Sequence, residues 1–287
     1  MITIMDGKEV SKKMREVLRK VISTRGIQPK LVVVQMGNDK ASSIYVRNKS
    51  KACEEIGIKF EDIHIPETNT WEQVLSVIDQ LNENPDIDGI LIQQPVPEHL
   101  KGIEQFINSD KDVDGFKYTS LGKLVRNDEG FVPCTTLGIL DLLDYYRISV
   151  EGKHIVIVGR SNIVGKPTML EMLNRDATVT ICHSKTKNLS QITKTADILV
   201  VAVGKPCFIN NSHIGNNTNV VIDVGINRLE TGDIVGDCNM SSIIERWEYL
   251  EKNEINKENK FITPVPGGIG PMTVAELLHN MVISSIK

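Results

Sequence analysis

Tyr45 and Lys49 stand four residues apart in the stretch SSIYVRNKSK, which otherwise has the pattern of an amphipathic helix. Residues four apart share one face of a helix, so the two side chains are predicted to lie side by side. Their unperturbed pKa values, roughly 10 and 10.4, are the two highest among side chains that commonly titrate. Two groups of high pKa on one helix face form a candidate site for acid–base chemistry.

Gln93 and the turn KDVDGF supply polar groups that are predicted to reach the same place. Gln93 lies at the end of the predicted strand GILIQQ, and the turn contains Asp112, Asp114 and a glycine. In open α/β sheets ligands bind beyond the carboxyl ends of the strands, where all of these groups would point. A structural alternative stays open for each: a half-buried tyrosine, a snorkelling surface lysine, a glutamine at a strand end, and aspartates that support a turn.

The stretch GRSNIVGKP, residues 159–167, follows the predicted strand HIVIVG and precedes a helical pattern. Gly159 and Gly165 flank this turn, and the lack of a side chain lets backbone N–H groups approach a phosphate at the helix N-terminus. Ser161 replaces the middle glycine of the usual G-x-G-x-x-G pattern, so the motif is weak by itself. A strand before it, a helix after it and a further strand ending about 20 residues on together indicate a dinucleotide-binding βαβ unit.

The loop HSKTK after the next predicted strand, ATVTIC, indicates which dinucleotide binds. An NAD-binding protein usually places an acidic residue there for the ribose hydroxyls. This chain has Ser184 and Lys185 at the tip, with Arg160 in the glycine loop. Hydroxyl and cationic groups suit a 2′-phosphate, which a carboxylate would repel, so NADP is the predicted cofactor. The alternative is an ordinary polar βα loop of a doubly wound fold.

Short apolar runs alternate with helical patterns along most of the chain. The predicted strands are 31–37, 58–65, 89–94, 154–159, 177–182, 198–204 and 219–225. The predicted helices include 71–83, 135–146, 166–176, 189–197 and 273–287. Apolar strands separated by helices are typical of a parallel sheet that is covered on both faces. The predicted fold class is therefore α/β, with two sheets separated by a polar junction near 108–134.

Composition argues against several classes of protein. The chain has 287 residues, a pI near 5.9 and a formal charge of −4, which do not suit a nucleic-acid binder. No apolar run approaches the ~20 residues that span a bilayer, and the N-terminus lacks the pattern of a secretory signal. The five cysteines are scattered without a C-x-x-C pair, so neither a disulfide framework nor a zinc site is expected. We predict a soluble cytosolic protein without a bound metal.

Seven stretches resemble, in their order along the chain, the motifs of bifunctional methylenetetrahydrofolate dehydrogenase/methenyltetrahydrofolate cyclohydrolase. They are IYVRNKSKACEEIGI, DGILIQQPVP, DKDVDGF, VGRSNIVGKP, VAVGKP, VIDVGINR and ITPVPGGIGPMT, and they cover nearly the whole chain. The resemblance implies two α/β domains with the active site in the cleft between them, NADP as cofactor, folate as substrate carrier and a homodimer. It implies a folate-binding catalytic domain at 1–120, completed by a C-terminal helix at 271–287, and a Rossmann-like NADP domain at 121–270.

The implied activity is oxidation of 5,10-methylenetetrahydrofolate to the 5,10-methenyl form with NADP+, followed by hydrolysis to 10-formyltetrahydrofolate. These reactions belong to one-carbon metabolism. The resemblance implies that they take place in the cytoplasm and that their formyl product is used in purine biosynthesis. By the same resemblance, Lys49 is the catalytic lysine, with Tyr45 as its partner. Gln93 is the glutamine that contacts this lysine, and Asp114 is the acid that binds the pterin ring.

Two further groups of residues complete the expected site. The resemblance places along the folate Pro264, Val265, Pro266, Gly267 and Gly268. The expected dinucleotide-binding residues are Gly159, Arg160, Ser161, Gly165, Ser184 and Ile226, the last through its backbone at the nicotinamide end. Gln94 departs from the leucine that the family often has, and the charged segment 251–260 is longer than usual. Both departures are expected to have only local effects.

Two alternatives compete with this function. Another two-domain NADP dehydrogenase, such as one acting on shikimate, would share the architecture, but KDVDGF and PVPGGIGPMT argue against it. A non-catalytic sensor would bind NADP tightly and turn over no folate. The combination of Tyr45, Lys49, Gln93 and Asp114 argues against that second alternative.

Overall fold

The computed structural model describes residues 1–37 and 40–286, without side-chain detail for 40–43. Contacts within the chain divide it into two compact units. The first contains Met1–Ser11 and Thr135–Thr273, and the second contains Lys12–Cys134 and Val274–Lys287. We call them the six-stranded unit and the three-stranded unit, after the main sheet in each.

The elements of the described residues have the following bounds. The strands are β1 (Ile2–Ile4), β2 (Lys30–Met36), β3 (Lys59–Ile65), β4 (Gly89–Ile92), β5 (His154–Val158), β6 (Thr178–Cys182), β7 (Ile198–Val201), β8 (Val220–Asp223), β9 (Asn227–Arg228), β10 (Ile234–Val235) and β11 (Lys260–Ile262). The α-helices are α1 (Gly7–Arg25), α2 (Lys40–Ile56), α3 (Trp71–Glu83), α4 (Tyr118–Arg126), α5 (Cys134–Tyr145), α6 (Gly165–Asn174), α7 (Leu189–Thr193), α8 (Met240–Lys252) and α9 (Ile269–Ser284). Short 3₁₀ helices lie at Glu98–Leu100, Ile103–Phe106, Ser109–Lys111 and Asn211–His213. None of these helices has the length and apolar character needed to cross a membrane.

The three-stranded unit has a parallel sheet in the order β3-β2-β4, with β2 in the centre. Residues 31–36 of β2 are all buried, because helices cover both faces of the strand. One face packs in a core that includes Val46 of α2 and Leu278 of α9. The other face packs against Val74 and Ile78 of α3. The C-terminal helix therefore supplies part of this core, as the sequence predicted.

The helix α3 has the predicted bounds, and both of its ends are satisfied by side chains. A capping box closes the first turn: the N–H of Gln73 donates to Oγ1 of Thr70 at 3.4 Å, and the N–H of Thr70 donates to Oε1 of Gln73 at 2.8 Å. At the other end, Nζ of Lys111 donates to three carbonyl oxygens, the shortest distance being 2.7 Å to Asn84. The first residue of KDVDGF thus stabilises a helix end.

The six-stranded unit has a sheet in the order β1-β11-β8-β7-β5-β6, and every strand pair in it is parallel. Because β5 lies between β6 and β7, the chain leaves β5 toward one edge and then returns to its other side. A reversal of this kind opens a crevice beyond the carboxyl ends of β5 and β7. The loops after β5 and β7 therefore border the expected ligand site of this unit.

The two-domain α/β fold with parallel sheets is confirmed, but several elements differ from the prediction. The sequence does not predict β1, β9, β10 or β11, which have only two or three residues each. The predicted end of the helix at 189–197 is wrong, because α7 stops at Thr193. The junction near 108–134 contains α4, and the charged segment 251–260 begins with the end of α8. The contact division also differs from the predicted domain bounds, since Met1–Ser11 joins the six-stranded unit.

Candidate active site

Lys49 of α2 is held by a neutral acceptor in the three-stranded unit. Its Nζ donates a hydrogen bond of 2.9 Å to Oε1 of Gln93, which directly follows β4. Nε2 of Gln93 donates to the carbonyl oxygen of Gln94 at 2.8 Å, which fixes the orientation of the amide. The backbone N–H of Gln93 also donates to the carbonyl oxygen of Val34 at 2.9 Å, continuing the ladder between β4 and β2. The structure therefore brings together the predicted lysine and glutamine.

Lys49 and Asp114 are the charged groups of this cluster. Burial lowers the pKa of Lys49, and the carboxylate of Asp114 opposes that shift. Burial raises the pKa of Asp114, and the ammonium group of Lys49 opposes that shift. Because desolvation is the larger effect for both groups, the amine gives up its proton at a lower pH than an exposed lysine does.

The other aspartate of KDVDGF, Asp112, has a different environment. Its Oδ1 accepts from the N–H of Phe116 at 3.2 Å. Its Oδ2 accepts from the N–H of Lys117 at 3.0 Å and from Oγ of Ser120 at 2.6 Å. Burial raises the pKa of Asp112 to about 6, although these hydrogen bonds act against the shift. The alternative in which an aspartate supports the turn therefore applies to Asp112, which stabilises the entry into α4.

Two buried thiols interact with this cluster: Cys134 interacts with Lys49 and Asp114, and Cys53 interacts with Lys49. Burial raises the pKa of Cys53 to about 12 and raises the pKa of Cys134 well above its ordinary value. Both thiols therefore stay protonated near neutral pH and surround the amine with groups of low polarity. Neither was among the predicted site residues, although the spacing of four residues from Lys49 to Cys53 could have indicated one of them.

Tyr45 lies one turn before Lys49 on α2, as their spacing predicts. Its side chain is 43% exposed, whereas Lys49, Gln93 and Asp114 are more buried. A half-exposed ring leaves one apolar face available for a flat ligand. The site thus combines the accessible aromatic ring of Tyr45 with the more buried amine of Lys49.

The glycine loop of the six-stranded unit is closely packed at both of its glycines. Gly159 has a φ of +136°, and a Cβ on it would lie 2.2 Å from the carbonyl oxygen of Ala202. A Cβ on Gly165 would lie 2.2 Å from the carbonyl oxygen of Gly159. Oγ of Ser161 accepts from the N–H groups of Val164 at 3.2 Å and Gly165 at 3.4 Å, at the start of α6. Only glycine fits at the two flanking positions, while the serine supports the turn between them.

A cavity of about 230 Å³ lies beyond the carboxyl ends of β5 and β7. Its lining includes Gly159, Arg160, His183, Ser184, Lys205 and Phe208. The structure therefore brings Arg160 and Ser184 to one pocket, while Lys185 is not part of its lining. Nζ of Lys205 lies 5.4 Å from the ring centroid of Phe208, within cation–π range. Pockets for drug-sized ligands have about 300–1,000 Å³, so this cavity suits one end of a dinucleotide.

Lys205 and Phe208 were missed by the sequence-based prediction. Lys205 is the lysine of VAVGKP and Phe208 follows two residues after it, but the family resemblance of that stretch did not point to either side chain. Only their position could have indicated them, because they lie in the loop after β7, and β7 borders the point at which the strand order reverses. That order is a property of the folded sheet and could not be read along the chain.

The loop Pro264–Gly268 rests on the first turn of α1, within the six-stranded unit. A Cβ on Gly7 would lie 1.9 Å from the carbonyl oxygen of Gly268, and the N–H of Lys8 donates to the carbonyl oxygen of Gly267 at 3.1 Å. Asp6 caps the N-terminus of α1, because its Oδ1 accepts hydrogen bonds from the N–H groups of Lys8 at 2.9 Å and of Glu9 at 3.1 Å. The predicted loop is therefore supported by the N-terminal residues DGK, which the prediction did not include.

Ile226 follows β8 and is 45% exposed. Its Cδ1 lies 3.3 Å from the position that a Cβ on Gly270 would take, so it is close to the start of α9. The predicted residues thus form two groups. Tyr45 and Lys49, with Gln93 and Asp114, belong to the three-stranded unit, and all the others belong to the six-stranded unit.

Two family models match the chain. The model described as "Tetrahydrofolate dehydrogenase/cyclohydrolase, catalytic domain" matches residues 5–114. The model described as "Tetrahydrofolate dehydrogenase/cyclohydrolase, NAD(P)-binding domain" matches residues 133–287. Together they span most of the chain, and their order is that of the two predicted domains.

Known proteins of similar sequence and structure agree with these matches. The chain is 46% identical to the bifunctional protein FolD of Bacillus velezensis, over 99% of this chain and 97% of that protein. It is similar to the crystal structure of bifunctional FolD, a methylenetetrahydrofolate dehydrogenase/cyclohydrolase, from Campylobacter jejuni, with a TM-score of 0.92, 43% identity, and coverage of 100% and 99%. It is also similar to the Trypanosoma brucei methylenetetrahydrofolate dehydrogenase-cyclohydrolase complexed with NADP and an inhibitor, with a TM-score of 0.89, 30% identity, and coverage of 99% and 97%.

Proposed function

Because this chain belongs to the tetrahydrofolate dehydrogenase/cyclohydrolase family, we propose that it catalyses both reactions at one folate carbon. It oxidises 5,10-methylenetetrahydrofolate to the methenyl form with NADP+, and it hydrolyses that product to 10-formyltetrahydrofolate. The observation that carries the proposal is the 2.9 Å hydrogen bond from Nζ of Lys49 to Oε1 of Gln93, with the Asp114 carboxyl group interacting with the same amine. A spectrophotometric assay with methylenetetrahydrofolate and each nicotinamide cofactor tests it directly.

The six-stranded unit fits a dinucleotide with a 2′-phosphate. Arg160 and Lys205 supply two cations and Ser184 a hydroxyl around one pocket, and none of the described residues that line it is acidic. A Cβ on either glycine of the loop would collide with protein backbone, so the two glycines permit the tight turn that leads into the N-terminus of α6, where a phosphate can bind. When bound, NADP+ accepts the hydride of the first reaction. We assign Gly159, Ser161, Gly165 and Ile226 to the remainder of the same site.

The residues of the three-stranded unit have separate roles in the proposal. Tyr45 offers its exposed ring face to the pterin, and Asp114 binds the donors of that ring by charge-assisted hydrogen bonds. By family resemblance we also assign the loop Pro264–Gly268 to folate binding. In the hydrolysis, a proton leaves the attacking water and a proton reaches the ring nitrogen, and Lys49 performs this transfer.

The neutrality of Gln93 is essential to that role. A carboxylate at this position would hold the proton on Lys49 by charge, whereas an amide oxygen orients the amine and allows it to lose its proton. Burial already lowers the pKa of Lys49. The opposing effect of Asp114 weakens once its carboxylate is engaged by the pterin donors.

We predict that the rate of methenyl hydrolysis rises with pH through the lowered pKa of Lys49 and levels off below the ordinary lysine value of 10.5. The sign follows from the role: the neutral amine is the active form, and burial brings that form to a lower pH. Initial rates at constant ionic strength, corrected for the uncatalysed hydrolysis in the same buffer, give the profile. A catalysed rate that is still rising in proportion to hydroxide at pH 10.5 would show that the amine has an unshifted pKa.

We predict that Arg160→Ala raises the KM for NADP+ by roughly 10- to 100-fold and changes the KM for NAD+ little. A hydrogen bond to a charged group contributes about 1.5–3 kcal/mol, and only NADP+ has the 2′-phosphate that receives it. The matched control is Lys187→Ala, which removes an exposed cation near the same pocket without changing its lining. Equal losses for the two cofactors would refute the 2′-phosphate assignment.

Both alternatives are disfavoured. A shikimate dehydrogenase-like function does not explain why folate-enzyme family models match both parts of the chain. A non-catalytic sensor would bind NADP+ and show no absorbance change with any folate. By family membership we also propose a cytoplasmic homodimer whose formyl product supports purine biosynthesis. The dimer is tested by light scattering, which should give twice the chain mass of 32.0 kDa.

A further inference from the structure

Asp237 is a buried carboxylate that the proposed chemistry does not use. It has no exposed surface, and it accepts four hydrogen bonds. Its Oδ2 accepts from the backbone N–H groups of Val203 at 2.6 Å and Gly204 at 3.0 Å. Its Oδ1 accepts from the N–H of Lys205 at 2.8 Å and from Nδ2 of Asn227 at 2.9 Å. One side chain thus holds the whole turn that follows β7 and also the strand β9.

Asp223, at the end of β8, holds the segment that carries Asp237. Its Oδ1 accepts from the N–H groups of Gly225 and Asp237, both at 3.0 Å, and its Oδ2 accepts from the N–H of Cys238 at 2.8 Å. Burial raises the pKa of Asp223 to about 6, and these N–H groups act against the shift. Burying a carboxyl group is costly unless hydrogen bonds replace its lost hydration, and these N–H donors supply such hydrogen bonds to both aspartates.

Two glycines allow each carboxyl group to pack against the loop that carries the other aspartate. A Cβ on Gly225 would lie 2.2 Å from Cγ of Asp237, and a Cβ on Gly236 would lie 1.9 Å from Oδ2 of Asp223. The arrangement is reciprocal, because each aspartate fills the space beside a glycine of the other's loop. The turn after β7, the segment around Ile226 and the segment at 236–238 are therefore packed as one body.

We infer that Asp237 is a positioning residue for the nicotinamide dinucleotide, acting through the turn 203–205. Val203 and Lys205 line the cavity of the six-stranded unit, and all three backbone N–H groups of the turn donate to this one carboxylate. Asp237 also holds Asn227, the neighbour of Ile226, so it connects the cavity to the segment assigned to the nicotinamide end. The inference rests on the proposed function, because it assumes that the cavity receives NADP.

The test is Asp237→Asn in the full-length chain. The amide has one acceptor oxygen, and its NH2 group would face two or more N–H donors, so the turn is expected to move. We expect the KM for NADP+ and the Kd of NADPH, measured by fluorescence titration, to rise about ten-fold or more. A ten-fold change equals about 1.4 kcal/mol of binding free energy. Hydrolysis of methenyltetrahydrofolate involves no change of oxidation state and needs no nicotinamide, so its rate should stay within about two-fold.

The matched control is Asp233→Asn, which makes the same chemical change on the exposed turn between β9 and β10. Its KM for NADP+ and its hydrolysis rate should equal those of the unaltered chain. The inference is overturned if Asp237→Asn raises the KM for NADP+ and the Kd of NADPH no more than this control does. A purely structural loss would lower both activities together, which the hydrolysis assay detects.

If Asp237→Asn fails to fold, Asn227→Ala decides the question. It removes one donor to Asp237 and leaves the three backbone donors in place. A KM for NADP+ raised several-fold with full hydrolysis supports the inference that Asp237 connects the cavity to the segment around Ile226, and an unchanged KM overturns that connection. Failure of the proposed function can be distinguished from failure of this inference. In the first case the unaltered chain would show no hydride transfer, and the Kd of NADPH for the variants would still show whether the turn 203–205 positions the dinucleotide.

Discussion

Lys49→Met is expected to slow methenyl hydrolysis by roughly 10²- to 10⁴-fold while hydride transfer falls by no more than about ten-fold. General acid–base catalysis by one positioned group contributes about this factor, and only the hydrolysis has protons to move. Hydride transfer depends on the placement of the two reactants, which Tyr45 and Asp114 are proposed to provide. Parallel assays on the same preparation, one following NADPH formation and one following loss of the methenyl absorbance, measure the two effects.

Two further variants separate proton transfer from mere positive charge. Lys49→Arg keeps the charge but cannot lose its proton at accessible pH, so its hydrolysis should be as slow as that of Lys49→Met. Lys51→Met changes an exposed lysine of the same helix and should leave both rates unaltered. If Lys49→Met lowered the two rates by the same small factor, or if the arginine variant hydrolysed normally, the proton-transfer role would be untenable.

Asp114→Asn is expected to lower kcat/KM for folate by roughly 10²-fold in both reactions. Both need the pterin bound in the same orientation, and loss of two charge-assisted hydrogen bonds at about 1.5 kcal/mol or more each corresponds to this factor. The effect differs in kind from that of Lys49→Met, because the two activities should fall together. Substrate titrations of the dehydrogenase and cyclohydrolase reactions, with NADP+ saturating in the first, measure it.

Asp110→Asn is the control for the Asp114 variant, since it neutralises an exposed aspartate four residues earlier. It should leave both reactions unchanged. Asp112→Asn is expected to behave differently again, with a loss of thermal stability, because Asp112 accepts three hydrogen bonds within the turn. An Asp114→Asn enzyme that kept its normal KM for folate in both assays would disprove the assignment of pterin binding.

The long elements could be predicted because their signals are local. Apolar runs such as LVVVQM become buried central strands, and α3 has a capping box within its own sequence. The missed strands β1 and β11 have three residues each and pair with one another across nearly the whole chain. Nothing local in ITI or KFI indicates a partner so distant, so only the folded sheet identifies them as strands.

The candidate site divides in the same way. Tyr45 and Lys49 could be placed by helical spacing, and the glycines at 159 and 165 by their position between a strand and a helix. Lys205, Asp223 and Asp237 could not, because their importance comes from three loops that meet at one edge of the sheet. The available hints were a glycine two residues after Asp223 and a glycine directly before Asp237, patterns that are also common in ordinary turns.

The place of α9 in the core of the three-stranded unit has a consequence for synthesis of the protein. Leu91 and Leu277 belong to the same apolar core. At about 5–20 residues per second, a ribosome needs roughly 10 to 40 s to extend the nascent chain from the first of these leucines to the second. During that interval α9 does not yet cover the sheet around β2. The apolar side chains on that face of the sheet are therefore exposed to solvent and prone to aggregation. Aggregation of this protein is therefore favoured most in the interval before α9 has been synthesised and has packed on the sheet.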